Sequence, residues 1–270
     1  MHPKLISIGD FFIPTYGFLV MLGFVAGLWL ASRLARRSEL DADAVVNLAV
    51  YCALAGIVGA KLLLIAEDFS YYSRNPGELF SFSTLQAGGI FHGGLIAALV
   101  VAFVYLRSKR LPALKTADVF APGVALGHAI GRLGCFSAGC CWGAECHRAW
   151  AVTFTNPDAN RMFGTPLNTP LHPTQLYEAG AEALIALLLL RRFLRPHQPG
   201  TILGLYLLLY SSARFLVEFV RAHQTPNPFH GPLSAAQWVA AALAVLGFWL
   251  WWIRPRRAGT HTEGGGSRPA

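Results

Sequence analysis

Charge is scarce in this sequence. Lys, Arg, Asp and Glu make up 13% of the 270 residues against 54% hydrophobic, and the mean hydropathy is +0.45. That balance excludes an ordinary soluble domain and points to an integral membrane protein. Strict apolar/polar alternation is also missing, so the spanning segments are helices rather than barrel strands, because lipid offers no partner to an unpaired backbone group. There is no C-x-x-C pair, no internal repeat and no separate polar domain. The first absence argues against a thiol oxidoreductase, the second against a transporter built from repeated halves. No basic stretch precedes the first apolar run, whose arginines Arg33, Arg36 and Arg37 come after it. This is the pattern of a retained anchor, not of a cleaved signal peptide.

What is present is a series of apolar runs near the length that crosses a bilayer, at 12–32, 45–66, 88–106, 117–136, 173–190, 201–220 and 233–253. The expected fold class is therefore an all-α integral membrane bundle of about seven transmembrane helices. It forms a single polytopic domain over 1–257, and a polar, glycine-rich tail at 258–270 is expected to be disordered. Basic residues gather after spans 1, 3, 5 and 7, as in Arg107, Lys109, Arg110 and Lys115, or Arg191, Arg192 and Arg195. Those ends are expected to be cytoplasmic, with the amino terminus and the loops near 67–87, 137–172 and 221–232 facing outward. The net charge of +8 then reflects topology, and nucleic acid is not expected as a partner.

Ionisable residues within the runs cost about 2.5–3.5 kcal/mol each by insertion scales, so each asks for a reason. Lys61 and Glu67 lie toward a span end and are expected to snorkel; Glu182 is expected to be structural. His92 sits between glycines in GGIFHGGLI, where another backbone or a lipid head group could approach. Arg132 is followed by Gly134, Gly139 and Gly143, which suggest that the span opens there and lets the guanidinium fork grip a phosphate or carboxylate. In LYSSARFLVEFVR, Tyr210, Arg214, Glu218 and Arg221 are spaced to fall within roughly 80° of arc on one helical face. A self-neutralising Arg214–Glu218 pair is the plainer alternative there. LHPTQLYEA adds His172, Gln175 and Glu178, with Pro173 suited to a first helical turn.

Cys135, Cys140, Cys141 and Cys146 are spaced C-x4-C-C-x4-C. Without paired C-x2-C knuckles the metal signal is weak, and inert or disulfide-bonded thiols are favoured over a metal site or a substrate-gripping thiol. Cys52, inside an apolar span, reads as a small hydrophobe.

GRLGCFSAGCCWG, together with YGFLVMLGF, GGIFHGGLI, HPTQLYEA and RFLVEFVR in the same order, resembles the bacterial prolipoprotein diacylglyceryl transferase family over about 10–253. The resemblance implies a multi-pass inner-membrane enzyme that moves a diacylglyceryl group from phosphatidylglycerol to the lipobox cysteine of a preprolipoprotein, without metal or organic cofactor. It also implies that Tyr16, His92, Arg132, Gly143, Tyr210, Arg214 and Glu218 serve lipid binding and catalysis. On this reading His92 takes the thiol proton, Arg132 and Arg214 bind the phosphodiester, and His172 joins the substrate contacts. The family pattern carries asparagine at the position of Cys135 and glutamate at that of Cys140. The departure leaves room for a related enzyme that uses the same lipid site on another acceptor. A transporter of an anionic substrate remains the other alternative.

Overall fold

The computed structural model describes residues 2–8, 11–80, 89–222, 228 and 231–254. The chain divides into two compact units, one formed by 1–31 with 117–270 and the other by 32–116. Six helices are long and apolar enough to cross a membrane among the described residues, so the protein is a mostly helical, multi-pass membrane protein.

In the first unit, β1 (Lys4–Ile8) and β2 (Phe11–Pro14) form an antiparallel hairpin. The hairpin delays the first helix, α1 (Thr15–Arg37), by a few residues relative to the expected span. The second unit holds α2 (Ala42–Glu67), the short α3 (Phe69–Arg74) and α4 (Phe91–Ser108). Asp41 starts α2 by accepting the amides of Asp43 and Ala44 at 2.9 and 3.1 Å. Small residues let α2 and α4 touch: a Cβ on Gly59 would lie 2.5 Å from the carbonyl oxygen of Gly93. In a bilayer, where apolar side chains gain nothing by leaving lipid, such backbone approach is a main source of helix association.

The first unit continues with α5 (Ala113–Ala138), β3 (Val152–Thr153), α6 (Pro157–Phe163), β4 (Pro170–Leu171), α7 (Thr174–Phe193), α8 (Thr201–Glu218) and α9 (Ala235–Phe248). A π-helical turn, Trp249–Ile253, prolongs α9. Gly23 and Gly27 of α1 face Gly127 and Gly123 of α5, where an added Cβ would fall 2.5–2.8 Å from a carbonyl oxygen. Gly204 and Gly247 do the same between α8 and α9.

The run at 173–190 is helical as α7, and its Glu178, Glu182, Arg191 and Arg192 keep it outside the six helices that are apolar enough to cross a membrane by composition. Two sequence expectations need correction. Pro173 precedes α7 instead of occupying its first turn. The segment 137–172 is not a plain loop: it folds as β3, α6 and β4 around buried Phe154, Ala159 and Thr165, with the single Thr165 Oγ1 proton shared between the carbonyls of Gly139 and Ala159, each 3.0 Å away. The expected loops at 67–87 and 221–232 lie partly, and the tail at 258–270 wholly, outside the described residues.

Candidate active site

Helix α5 does not open at Gly134. It runs unbroken to Ala138 and ends where Gly139 takes the left-handed conformation, φ 84°. Gly134 instead meets the backbone of Tyr16, with a virtual Cβ 3.3 Å from its carbonyl oxygen. Arg132 therefore sits within the helix, more than a turn from its end, and its side chain is largely buried.

A buried guanidinium needs partners, and α7 supplies them. Arg132 Nη2 lies 2.5 Å from Glu178 Oε2, and one turn earlier His128 Nδ1 lies 2.8 Å from Glu182 Oε1. The two rungs join α5 and α7 at i, i+4 spacing, as antiparallel neighbours require. Arg132 Nε donates to His128 Nε2 at 3.2 Å. That bond places the imidazole proton on Nδ1, from which it is donated to Glu182. Glu178 and Glu182 are 5% and 2% exposed, so removing Glu178 would leave the buried Arg132 without its carboxylate, and removing His128 would strip Glu182 of its donor.

Glu178 is the hub. Its Oε1 accepts from Arg221 Nη1 at 3.2 Å and lies 3.7 Å from Arg214 Nη1, while Oε2 holds Arg132. Arg214 Nη1 also lies 2.6 Å from Glu218 Oε2. The self-neutralising pair thus exists, but it is one link of a chain with three arginines and two glutamates. Ser234, the N-cap of α9, donates to Glu218 Oε1 at 2.9 Å and ties the far end down. Arg221 is not on the helical stripe as expected. Helix α8 stops at Glu218, and Arg221 reaches Glu178 from the turn beyond, bridged to Gly143.

Gly143 is where three segments cross. Its amide donates to the carbonyl of His172 at 3.0 Å, the amide of Ala144 donates to that of Val220 at 2.8 Å, and a Cβ on Gly143 would sit 2.6 Å from Val220 O and from His172 Cβ. Only glycine fits. The His172 ring turns to Tyr177, with Nδ1 3.1 Å from the phenol oxygen. Tyr210 packs its ring 5.6 Å from that of His128 and stacks on Tyr206.

Of the residues expected in the site, Arg132, Tyr210, Arg214 and Glu218 are gathered with Glu178, and Gly143 and Tyr16 border them. His92 belongs to the second unit, in the first turn of α4, exposed and edge-on to Phe91. Sequence reading did not foresee Glu178 as the hub, nor His128 or Ser234 at all. For His128 a signal existed: it lies four residues before Arg132, on the same helical face.

Chemically, Arg132 commits Nε and one Nη2 proton to protein, and its Nη1 makes a long 4.0 Å approach to Cys135 Sγ. With five N–H donors per guanidinium, Arg132 and Arg214 retain donors beyond their carboxylate contacts. The site is an anchored, largely buried set of cations suited to an anion such as a phosphodiester.

The chain matches the family model described as prolipoprotein diacylglyceryl transferase over residues 3–253. It is similar to phosphatidylglycerol–prolipoprotein diacylglyceryl transferases of Clostridium tetani, 31% identical over 93% of this chain and 96% of the relative, and of Finegoldia magna, 33% identical over 87% and 88%. The same is true of the enzyme so named from Dehalococcoides mccartyi, 35% identical over 95% of both chains. A match that runs through every span and every residue of the arginine–glutamate chain leaves one conclusion: this protein belongs to the prolipoprotein diacylglyceryl transferase family.

Proposed function

We propose that the protein is a transferase that moves the diacylglyceryl group of phosphatidylglycerol to the lipobox cysteine of preprolipoproteins. The enzyme works in the bacterial inner membrane as one polytopic domain, 1–257, with α7 as a seventh span. Its amino terminus faces outward and its carboxyl terminus the cytoplasm. The observation that carries the reading is the placement of Arg132 and Arg214 around Glu178, oriented by carboxylates yet retaining donors for a phosphate.

The acceptor sulfur, as thiolate, attacks the glyceryl carbon that bears the phosphate ester. A C–S bond forms, the C–O bond breaks, and its electron pair leaves on the phosphate as glycerol phosphate. The departing group gains negative charge, which fixed guanidiniums stabilise without reorganising. Glu178 and Glu218 hold the arginines in register, and Tyr16, Tyr210, Gly143 and His172 shape the lipid site. The thiol proton goes to His92, a residue type that exchanges protons near neutral pH. The supports for His92 are the family resemblance and the chemistry of its ring.

Incubation of the purified protein with phosphatidylglycerol and a lipobox peptide should yield the diacylglyceryl thioether by mass spectrometry, with glycerol phosphate in equal amount. No adduct with phosphatidylglycerol or any other phospholipid would overturn the proposal.

A further inference from the structure

The signature cysteines take no part in the chemistry above, yet three of them converge. The sulfurs of Cys135, Cys140 and Cys141 all lie within 4.8 Å of one another, whereas Cys146 stands outside the group. Cys135 comes from the last turns of α5, and the other two from the turn that follows. Adjacent residues in an extended chain point their side chains apart. Here Gly139 and Cys141 both adopt left-handed backbone, φ 84° and 61°, and this turn brings the neighbouring sulfurs to one side. A non-glycine residue persists in that region only where its surroundings fix it. They do: Gln175 Nε2 donates to the carbonyl of Cys140 at 2.6 Å and Thr174 Oγ1 to that of Cys141 at 2.8 Å, both from the first turn of α7.

We propose that Cys135, Cys140 and Cys141 form a three-sulfur site for a thiophilic divalent cation of the zinc class. Zinc–sulfur bonds of about 2.3 Å in a tetrahedron set sulfurs about 3.8 Å apart, so the trio needs only small side-chain adjustments to close on an ion. Binding replaces S–H bonds with metal–sulfur bonds and releases up to three protons to solvent. Three thiolates around a divalent ion carry one net negative charge, which the Arg132 guanidinium, with Nη1 4.0 Å from Cys135 Sγ, offsets from beside the cluster. A fourth ligand position remains for water. A disulfide is the poorer use of the trio, since it would pair two sulfurs and strand the third. The site departs from the metal-free protein that the cysteine spacing alone suggested, because spacing does not reveal the left-handed turn.

The test reads metal rather than activity, so its outcome is independent of the transferase proposal. The full-length protein, purified in detergent and reduced, is loaded with Zn(II), freed of excess and measured by mass spectrometry. Wild type and Cys52→Ser should hold about one zinc per chain, and Cys135→Ser and Cys141→Ser at least fivefold less. Co(II) loading should give a thiolate-to-cobalt charge-transfer band in the near ultraviolet that the same two variants lose. This second measurement on intact wild-type protein stands even if a serine variant folds poorly. Failure of reduced wild type to take up zinc or to show the cobalt band would overturn the proposal, as would zinc retention by both serine variants.

Discussion

Two buried carboxylates, Asp118 on α5 and Glu178 reaching α5 from α7, are handled in opposite ways. Asp118, near the start of α5, is 1% exposed and accepts the amides of Gly200 and Leu203 at 2.7 Å each, with His197 Nε2 3.9 Å away. It caps α8 from across the unit, because Gly200 sits at the N-cap in a left-handed conformation and has no side chain to do so. Glu178 meets Arg132, about 21 Å further along the axis at 1.5 Å per residue, and is surrounded by guanidiniums instead of backbone. Backbone amides offer one proton each, so the Asp118 site is closed once made. Guanidiniums offer five, so the Glu178 site holds its cations firmly and still presents donors. A buried acid matched to amides is architecture; one matched to arginines is a clamp with capacity left over.

The largest expected effect separates gripping the phosphate from taking the proton. His92→Gln should lower the transfer rate by about 10²–10⁴ without abolishing phosphatidylglycerol binding. Raising the pH toward about 8.5, where the acceptor thiol ionises by itself, should restore part of the rate. A defect of equal size at every pH would assign His92 a positioning role instead. Next, Arg132→Lys and Arg214→Lys keep the charge but lose the fork, and each should reduce transfer at least about tenfold with normal membrane insertion. Wild-type turnover by both would break the clamp side of the comparison.

Asp118→Asn tests the other side. The amide retains one acceptor oxygen and turns a donor toward an amide, so thermal or denaturant unfolding should show a loss of about 1.5–3 kcal/mol. The rate per folded molecule should stay within about twofold. A rate collapse without a stability change would mean that both acids are functional. Ser234→Ala should have the smallest effect, about 0.5–2 kcal/mol from the lost cap of α9. A modest rise in KM is expected with it, because Glu218 loses its outer tether while keeping Arg214.

How far these features were legible in the sequence depended on the range of the interaction behind them. The apolar runs announced the spans because length and hydropathy alone decide whether a segment can sit in hydrocarbon. Arg132, Arg214 and Glu218 stood out because a charge in such a run is costly wherever its partner lies. The stripe from Tyr210 to Glu218 followed from helical periodicity. Less legible was α7, which read as one more apolar run although its two carboxylates, buried in the structure, serve the interior.

By itself, then, the sequence determined the membrane class, the helical spans and the presence of cations that must be answered from within the protein. These rest on composition and local periodicity. Only the tertiary structure decided that Glu178 answers three of those cations at once, that His128 pairs with Glu182, and that Gly143 must be glycine because a strand-like crossing leaves no room for a Cβ. It also brought Cys135, Cys140 and Cys141 together through a left-handed turn pinned by α7. Each of these depends on residues far apart in the chain arriving at one place, and hydrogen bonds and ion pairs act over a few ångströms of space, whatever the separation in sequence.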